Sequence, residues 1–192
     1  MKTNKLLVGL LAALAICGSA NAAILTGTSG SPGNAVVDYS KPSVVSFDLD
    51  LKDFSATTLN FVVEEADLLL PHLTLSAIVR NFSGNGLEQF RFAVHGVSFA
   101  AAGSVTPTFG TLGNVTFRDN MASIAFSSPE WAEFHFGDPF AAGQNDWLLS
   151  NAGLRAGDTF SVTASVPEPA TISLMLAALA TFAFTRLLRD KR

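Results

Sequence analysis

The sequence predicts an all-β domain, an antiparallel β-sandwich of jelly-roll type, carried between two apolar chain ends. Three observations lead there. Apolar and polar residues alternate with period two in six separate runs, the pattern of strands with one face buried. Turn signals containing Gly, Asn, Asp and Pro punctuate those runs. Helical three-to-four spacing is not evident among them. Short strands with one polar face and frequent turns build sandwiches rather than layered α/β folds.

At the N-terminus, Lys2 and Lys5 precede an uncharged run from Leu6 to Ile16, and small residues close the segment at Ala20-Asn21-Ala22. Basic start, short apolar run and small residues are the three parts of a secretory signal peptide. Residues 1–22 are therefore assigned to it, with signal peptidase cutting between Ala22 and Ala23. Eleven residues, at about 1.5 Å each, fall well short of a ~30 Å bilayer core, which argues against a retained helix. Cys17 offers lipid attachment as a rival, but Ile16 stands where such a signal wants a small residue. After cleavage the chain holds no cysteine, so neither a disulfide nor a thiol nucleophile is available to it.

Residues 23–34 are expected to be a flexible leader, because Thr26 to Asn34 is dominated by Gly, Ser and Thr. The β domain is expected over residues 35–166. Val45, Phe47, Leu49 and Leu51 alternate with Ser46, Asp48, Asp50 and Lys52; Leu73, Leu75, Ala77 and Val79 form a second run. Phe90, Phe92 and Val94 form a third, and Val115 with Phe117 a fourth. Ala132, Phe134 and Phe136 alternate with Trp131, Glu133 and His135, and Phe160, Val162, Ala164 and Val166 end the series. Between them lie Ser83-Gly84-Asn85-Gly86, Phe109-Gly110, Gly137-Asp138-Pro139 and Ala156-Gly157-Asp158. The first of these is expected to close a hairpin, and a short helical turn is expected from Asp146 to Leu154. Fourteen of the sixteen phenylalanines fall in this region and are expected to fill the space between two sheets.

The C-terminus reads differently. Val166-Pro167-Glu168-Pro169 leads into residues 170–185, which carry no charge, and then into Arg186, Arg189, Lys191 and Arg192, with Asp190 among them. The prolines prevent a helix from running back into the β domain. The apolar run is rich in Ala and Leu, is apolar on every face, and with Leu187 and Leu188 reaches the length of a single membrane-spanning helix. The basic tail is expected to stay cytoplasmic and stop transfer, which places residues 23–166 outside the inner membrane.

These C-terminal features, in that order behind a signal peptide, resemble the PEP-CTERM sorting signal of bacteria that make extracellular polysaccharide. The resemblance covers roughly residues 166–192, and the signal itself 167–192: the Pro167-Glu168-Pro169 motif, the apolar helix 170–185 and the basic tail 186–192. It implies recognition by an exosortase, a membrane enzyme with a catalytic thiol, and release or transfer of the protein to the cell surface. The motif is then a recognition site on a substrate. Proteins with this signal often look similar upstream, with a β-sandwich whose hairpin resembles Val79-Arg80-Asn81-Phe82-Ser83-Gly84.

Composition narrows the function further. Lys and Arg total 12 against 16 acidic residues, which excludes a basic nucleic-acid binder. A mean hydropathy of +0.36 excludes a disordered chain. Both excesses have an address. Each end is apolar and carries +2, whereas residues 23–166 carry −8 and are as apolar as an ordinary soluble domain.

No sequence pattern for catalysis is present: G-x-S-x-G, H-E-x-x-H and the phosphate-binding loop are all missing. No catalytic, cofactor or metal residue is assigned. Trp131, with Glu133 and His135 on one expected strand face, is a candidate carbohydrate contact, since an exposed indole stacks on sugar rings. Asp48, Asp50 and Asp53 form an expected acidic cluster, with Asp138 and Asp146 as further carboxylates, but a flat strand suits calcium poorly. His72 and His95 are expected on solvated strand positions. Asn81-Phe82-Ser83 and Asn114-Val115-Thr116 match the glycosylation triplet. The expectation is a non-enzymatic exported surface or matrix protein associated with exopolysaccharide or biofilm. Carbohydrate binding by a lectin-like adhesin and an unprocessed bitopic inner-membrane protein are the alternatives.

Overall fold

In the computed structural model, which describes residues 23–167, the six alternating runs fall on strands and their apolar members share one core, except that Phe117 is exposed and Ala132 lies in a bend. Val45, Phe47, Leu49 and Leu51 are buried, as are Leu73, Leu75, Ala77 and Val79, and Phe160, Val162 and Ala164. A strand turns successive side chains to opposite faces, so period two in sequence becomes one apolar face.

Two sheets result. The first runs β1 (Ile24–Gly30), β4 (Thr57–Val62), β13 (Thr159–Ser165), β6 (Leu87–His95), β10 (Met121–Glu130), β9 (Thr111–Arg118), with every neighbour antiparallel. The second runs β2 (Ala35–Asp38), β3 (Val44–Leu51), β5 (His72–Asn81), β11 (Glu133–Phe136), β8 (Val105–Pro107). Here β12 (Trp147–Ser150) pairs the first half of β5, with β7 (Ser98–Ala101) beyond it.

Aromatic rings join the two sheets. Phe90 and Phe92 of β6 meet Phe134 and Phe136 of β11 at centroid distances of 5.2 and 4.5 Å, and Phe92 meets Phe47 of β3 at 6.1 Å. Trp147 stacks on Phe136 at 4.4 Å, and its indole N–H donates to the Ser104 carbonyl. Phenylalanine thus fills the interior, as its number in the sequence implied.

Four expectations are corrected. The sheets are not wholly antiparallel: β3 and β5 run parallel, Val44 opposite Thr74 through Leu51 opposite Asn81. A parallel pair needs a long crossover. Here β4, in the other sheet, and a 3-10 helix at Glu65–Leu68 supply it. Next, Phe82 to Gly86 closes no hairpin, because β5 and β6 lie in different sheets; the segment arches from one to the other. The turn chemistry was legible but not the sheet each strand would choose.

The helical turn expected from Asp146 to Leu154 is instead strand β12, with Trp147 and Leu149 inward. Lastly, the leader expected over residues 23–34 begins inside the fold. Ala23 is buried and Ile24–Gly30 pairs with β4, because an edge position needs ladder hydrogen bonds more than apolar side chains. At its end Gly30 has φ +128, and a Cβ there would lie 2.1 Å from the Ala56 carbonyl oxygen.

Among the described residues no helix is long and apolar enough to cross a membrane. The expected signal peptide, Ala22, Glu168, Pro169, the apolar run 170–185 and the basic residues Arg186, Arg189, Lys191 and Arg192 lie outside the described residues.

Candidate functional site

Strand β13 carries the chain to its C-terminal motif and sits inside its sheet, not at an edge. It pairs with β4 on one side, from Thr159 opposite Val62 to Ala164 opposite Thr57. On the other side it pairs with β6, from Ser161 opposite His95 to Ser165 opposite Arg91. Phe160 stacks on Phe61 across the β4 pairing at 5.1 Å, and the Thr58 and Thr163 hydroxyls are 2.9 Å apart on the outer face. Val166 still packs on the core. Pairing ends at Ser165, and half-buried Pro167, which has no N–H to give a neighbour, does not resume it. Its ring also biases Val166 towards extended backbone, so the chain leaves along the strand direction. The fold therefore runs directly into the motif, with no linker between them.

β13 leaves at the end of the fold where β6 begins. Three other connections cluster there: Phe82 to Gly86, Thr108 to Gly110, and the bend Trp131-Ala132. One buried side chain organises them. The Glu130 carboxylate is fully buried; one oxygen accepts N–H groups of Thr108, Phe109 and Gly110 at 2.8–2.9 Å, and the other accepts Ala132 N–H at 2.9 Å. Burial pushes the carboxyl up, but those four donors outweigh it and hold the group below its ordinary 4.5. Asn81 completes the junction: its amide donates to the carbonyls of Asn85 and Glu130, and its backbone N–H to that of Ala132. Sequence reasoning did not single out Glu130. Alternation from Ala122, Ile124 and Phe126 does not reach it, because the ladder is irregular between Ala125 and Glu130 and Ser128, on the same count, is exposed.

The other candidates are dispersed. Trp131 does not share a strand face with Glu133 and His135; it lies in the bend before β11 and is 59% exposed. Its ring lies over Gly86, where a Cβ would come within 2.9 Å of it. Glu133 and His135 contact each other at 3.4 Å, and Phe140 packs edge-on against the imidazole.

The expected acidic cluster divides. Asp48 and Asp50 both pair with Arg80 on β5, the second at 3.1 Å, and Arg80 lies 3.7 Å from Glu133. The hydrogen bond to Asp48 raises the guanidinium's pKa, against the opposing effect of burial, with Asp50 adding to it. Asp53 lies apart in the loop after β3; Ser31 hydroxyl and then Ser55 N–H hold its carboxyl below its ordinary value.

Asp138 and Asp146 are engaged by backbone: Asp138 accepts N–H groups of Ala142, Gly143 and Gln144, and Asp146 accepts that of Asp138. His72 is half-buried and its Nδ1 has no partner, whereas His95 is exposed as expected. The Asn81 side chain is committed to the loop junction; Asn114 is exposed on β9. Among the described residues no three His, Cys, Asp or Glu side chains are grouped so as to hold a metal.

No curated protein and no solved structure matches the chain. The family model of the PEP-CTERM protein-sorting motif matches residues 165–192, beginning on the last residue of β13. The chain thus ends in a PEP-CTERM protein-sorting motif, the mark of an exported protein sorted to the cell surface by an exosortase.

Proposed function

We propose that this chain is a non-enzymatic surface or matrix protein, exported by its N-terminal signal, held by residues 170–185 in the inner membrane, and processed at Pro167-Glu168-Pro169. The observation that carries the proposal is the junction of motif and fold. The sorting-motif match begins at Ser165, where the last strand ends, so a cut beyond Val166 releases the whole β domain intact. The mature domain then functions beyond the membrane, in association with exopolysaccharide or biofilm. A structural rather than catalytic role is supported by where the carboxylates go. Glu130, Asp138 and Asp146 accept backbone N–H groups, and Asp48 and Asp50 face Arg80.

Mass spectrometry of the mature protein from an exosortase-bearing host tests the reading. A new C-terminus near Pro167-Glu168-Pro169 is expected, together with loss of that species when all three residues are replaced by alanine. Unchanged size and location in that variant would refute processing.

A further inference from the structure

The end of the fold from which Pro167 departs is also where three aromatic side chains are left in water. Phe82 is 60% exposed, Phe109 73% and Trp131 59%, and each sits on a different loop. The loops are fixed to one another. Glu130 grips the backbone of Thr108, Phe109 and Gly110 and of Ala132, and Asn81 ties Asn85 to Glu130. The three exposed rings are thus carried on loops hydrogen-bonded to one shared junction.

The register sets the height of this surface relative to the C-terminal segment. Ser165 lies opposite Arg91, so continuing the register sets Pro167 level with Gln89, two residues short of Leu87. Leu87 pairs with Glu130, the neighbour of Trp131. The aromatic loops therefore extend about two residues, ~7 Å, beyond the point where Pro167 leaves the sheet. From Pro167 to Ala170, where the uncharged run starts, is three residues, at most ~11 Å when fully extended. While residues 170–185 are held in a bilayer, the loops cannot sit far from its surface. The opposite end, where Ala23 enters the fold, exposes the aliphatic Leu69 and Leu70 and a single aromatic ring, Tyr39, beside the β2–β3 turn; Phe140 is exposed apart from both groups, in the loop after β11.

We propose that Phe82, Phe109 and Trp131 are a membrane-contact surface, docking the precursor's β domain on the lipid interface and holding Pro167-Glu168-Pro169 at a fixed height there. Aromatic rings, apolar with a polar edge in Trp, favour that interfacial layer. Residues 23–166 carry −8, so the attraction is apolar and does not require anionic lipid. The inference rests on the reading of residues 170–185 as a membrane anchor, and its test separates the two.

The full chain is reconstituted into phosphatidylcholine vesicles, with and without brominated acyl chains. Trp131 is the exposed indole, and the buried Trp147 serves as internal reference. The expected result is flotation with the vesicles, strong bromolipid quenching that W131F lacks, and a several-fold fall in acrylamide access to Trp131. F82S/F109S restores that access while Trp147 emission stays unchanged, showing that the fold is intact. Flotation with Trp131 still open to acrylamide overturns the docking proposal and leaves the anchor standing. Failure to float overturns both. Shielding from acrylamide without bromolipid quenching, or shielding by added polysaccharide alone, assigns the surface to another occupant and overturns it as well.

Discussion

The carboxylate of Glu130 lies 2.8 Å from the backbone N–H of Gly110, twenty residues away in sequence, and closes the loop between β8 and β9 onto the end of β10. The group is fully buried, yet it stays in its charged form because backbone N–H groups take the place of water around it.

Glu130→Gln keeps the shape but turns an amide N–H₂ towards one set of donors. A loss of about 2–4 kcal/mol is expected, the scale of leaving buried polar groups unmatched, measured by urea denaturation. Asn81→Ala, which removes two hydrogen bonds at the same junction, should lose less than the sum when combined with Glu130→Gln.

Stability should fall in acid, and the sign follows from the depressed pKa of Glu130. A carboxyl whose folded-state pKa is lowered binds its proton more readily in the unfolded chain. Its contribution is present above the ordinary value of 4.5 and is lost as pH falls through the lower folded value. Asp53 acts with the same sign. Thermal melts of the wild type should decline below pH 4.5, and those of Glu130→Gln should decline less.

Gly86 is required by space. A Cβ there would meet the Pro129 ring at 2.8 Å and the Trp131 ring at 2.9 Å. Gly86→Val should destabilise by about 1–3 kcal/mol and displace the indole, shifting Trp131 emission, whereas Gly84→Ala leaves that emission unchanged. Gly84 has no neighbour in the way, although its φ of +76 carries a backbone cost of its own.

Arg80 faces three carboxylates, of which Asp48 is the most buried. Arg80→Met should cost about 2–4 kcal/mol, chiefly because Asp48 is left unpaired. The double variant with Asp48→Asn should recover part of that loss, as measured by a double-mutant cycle in chemical denaturation.

Truncation should locate the end of the folded unit. A chain stopped after Pro169 should melt with the same cooperativity as the full protein, because among the described residues Val166 is the last packed on the core. A chain stopped after Asp158 should not fold, since β4 and β6 would each lose the strand between them. Limited proteolysis and thermal melting read both outcomes.

Much of the site was local and therefore legible. Pro167, Glu168 and Pro169, the apolar run and the basic tail are contiguous, so their order alone carries the sorting signal that the family match bears out. The strands of β3, β5, β6, β11 and β13 were equally legible, because alternation is a property of consecutive residues. What was missed depended on distant partners. Ile24–Gly30 has the composition of a loop and is a strand because β4 lies beside it. Trp147–Ser150 is too short for its periodicity to decide between helix and strand, and β5 decides it.

By itself, then, the sequence determined which residues face inward along β3, β5, β6, β11 and β13, where the phenylalanines accumulate, and how the C-terminal signal is built. Only the tertiary structure decided which sheet each strand joins, why β3 and β5 run parallel, and that Phe82, Phe109 and Trp131 share an end with Pro167. The physical reason is that side-chain alternation is written into neighbouring residues, whereas strand partners are selected by the free energy of closing one core. Glu130 belongs to that second kind of information: its carboxylate acquires its role only when the β8–β9 loop and the bend before β11 bring their backbone N–H groups to it.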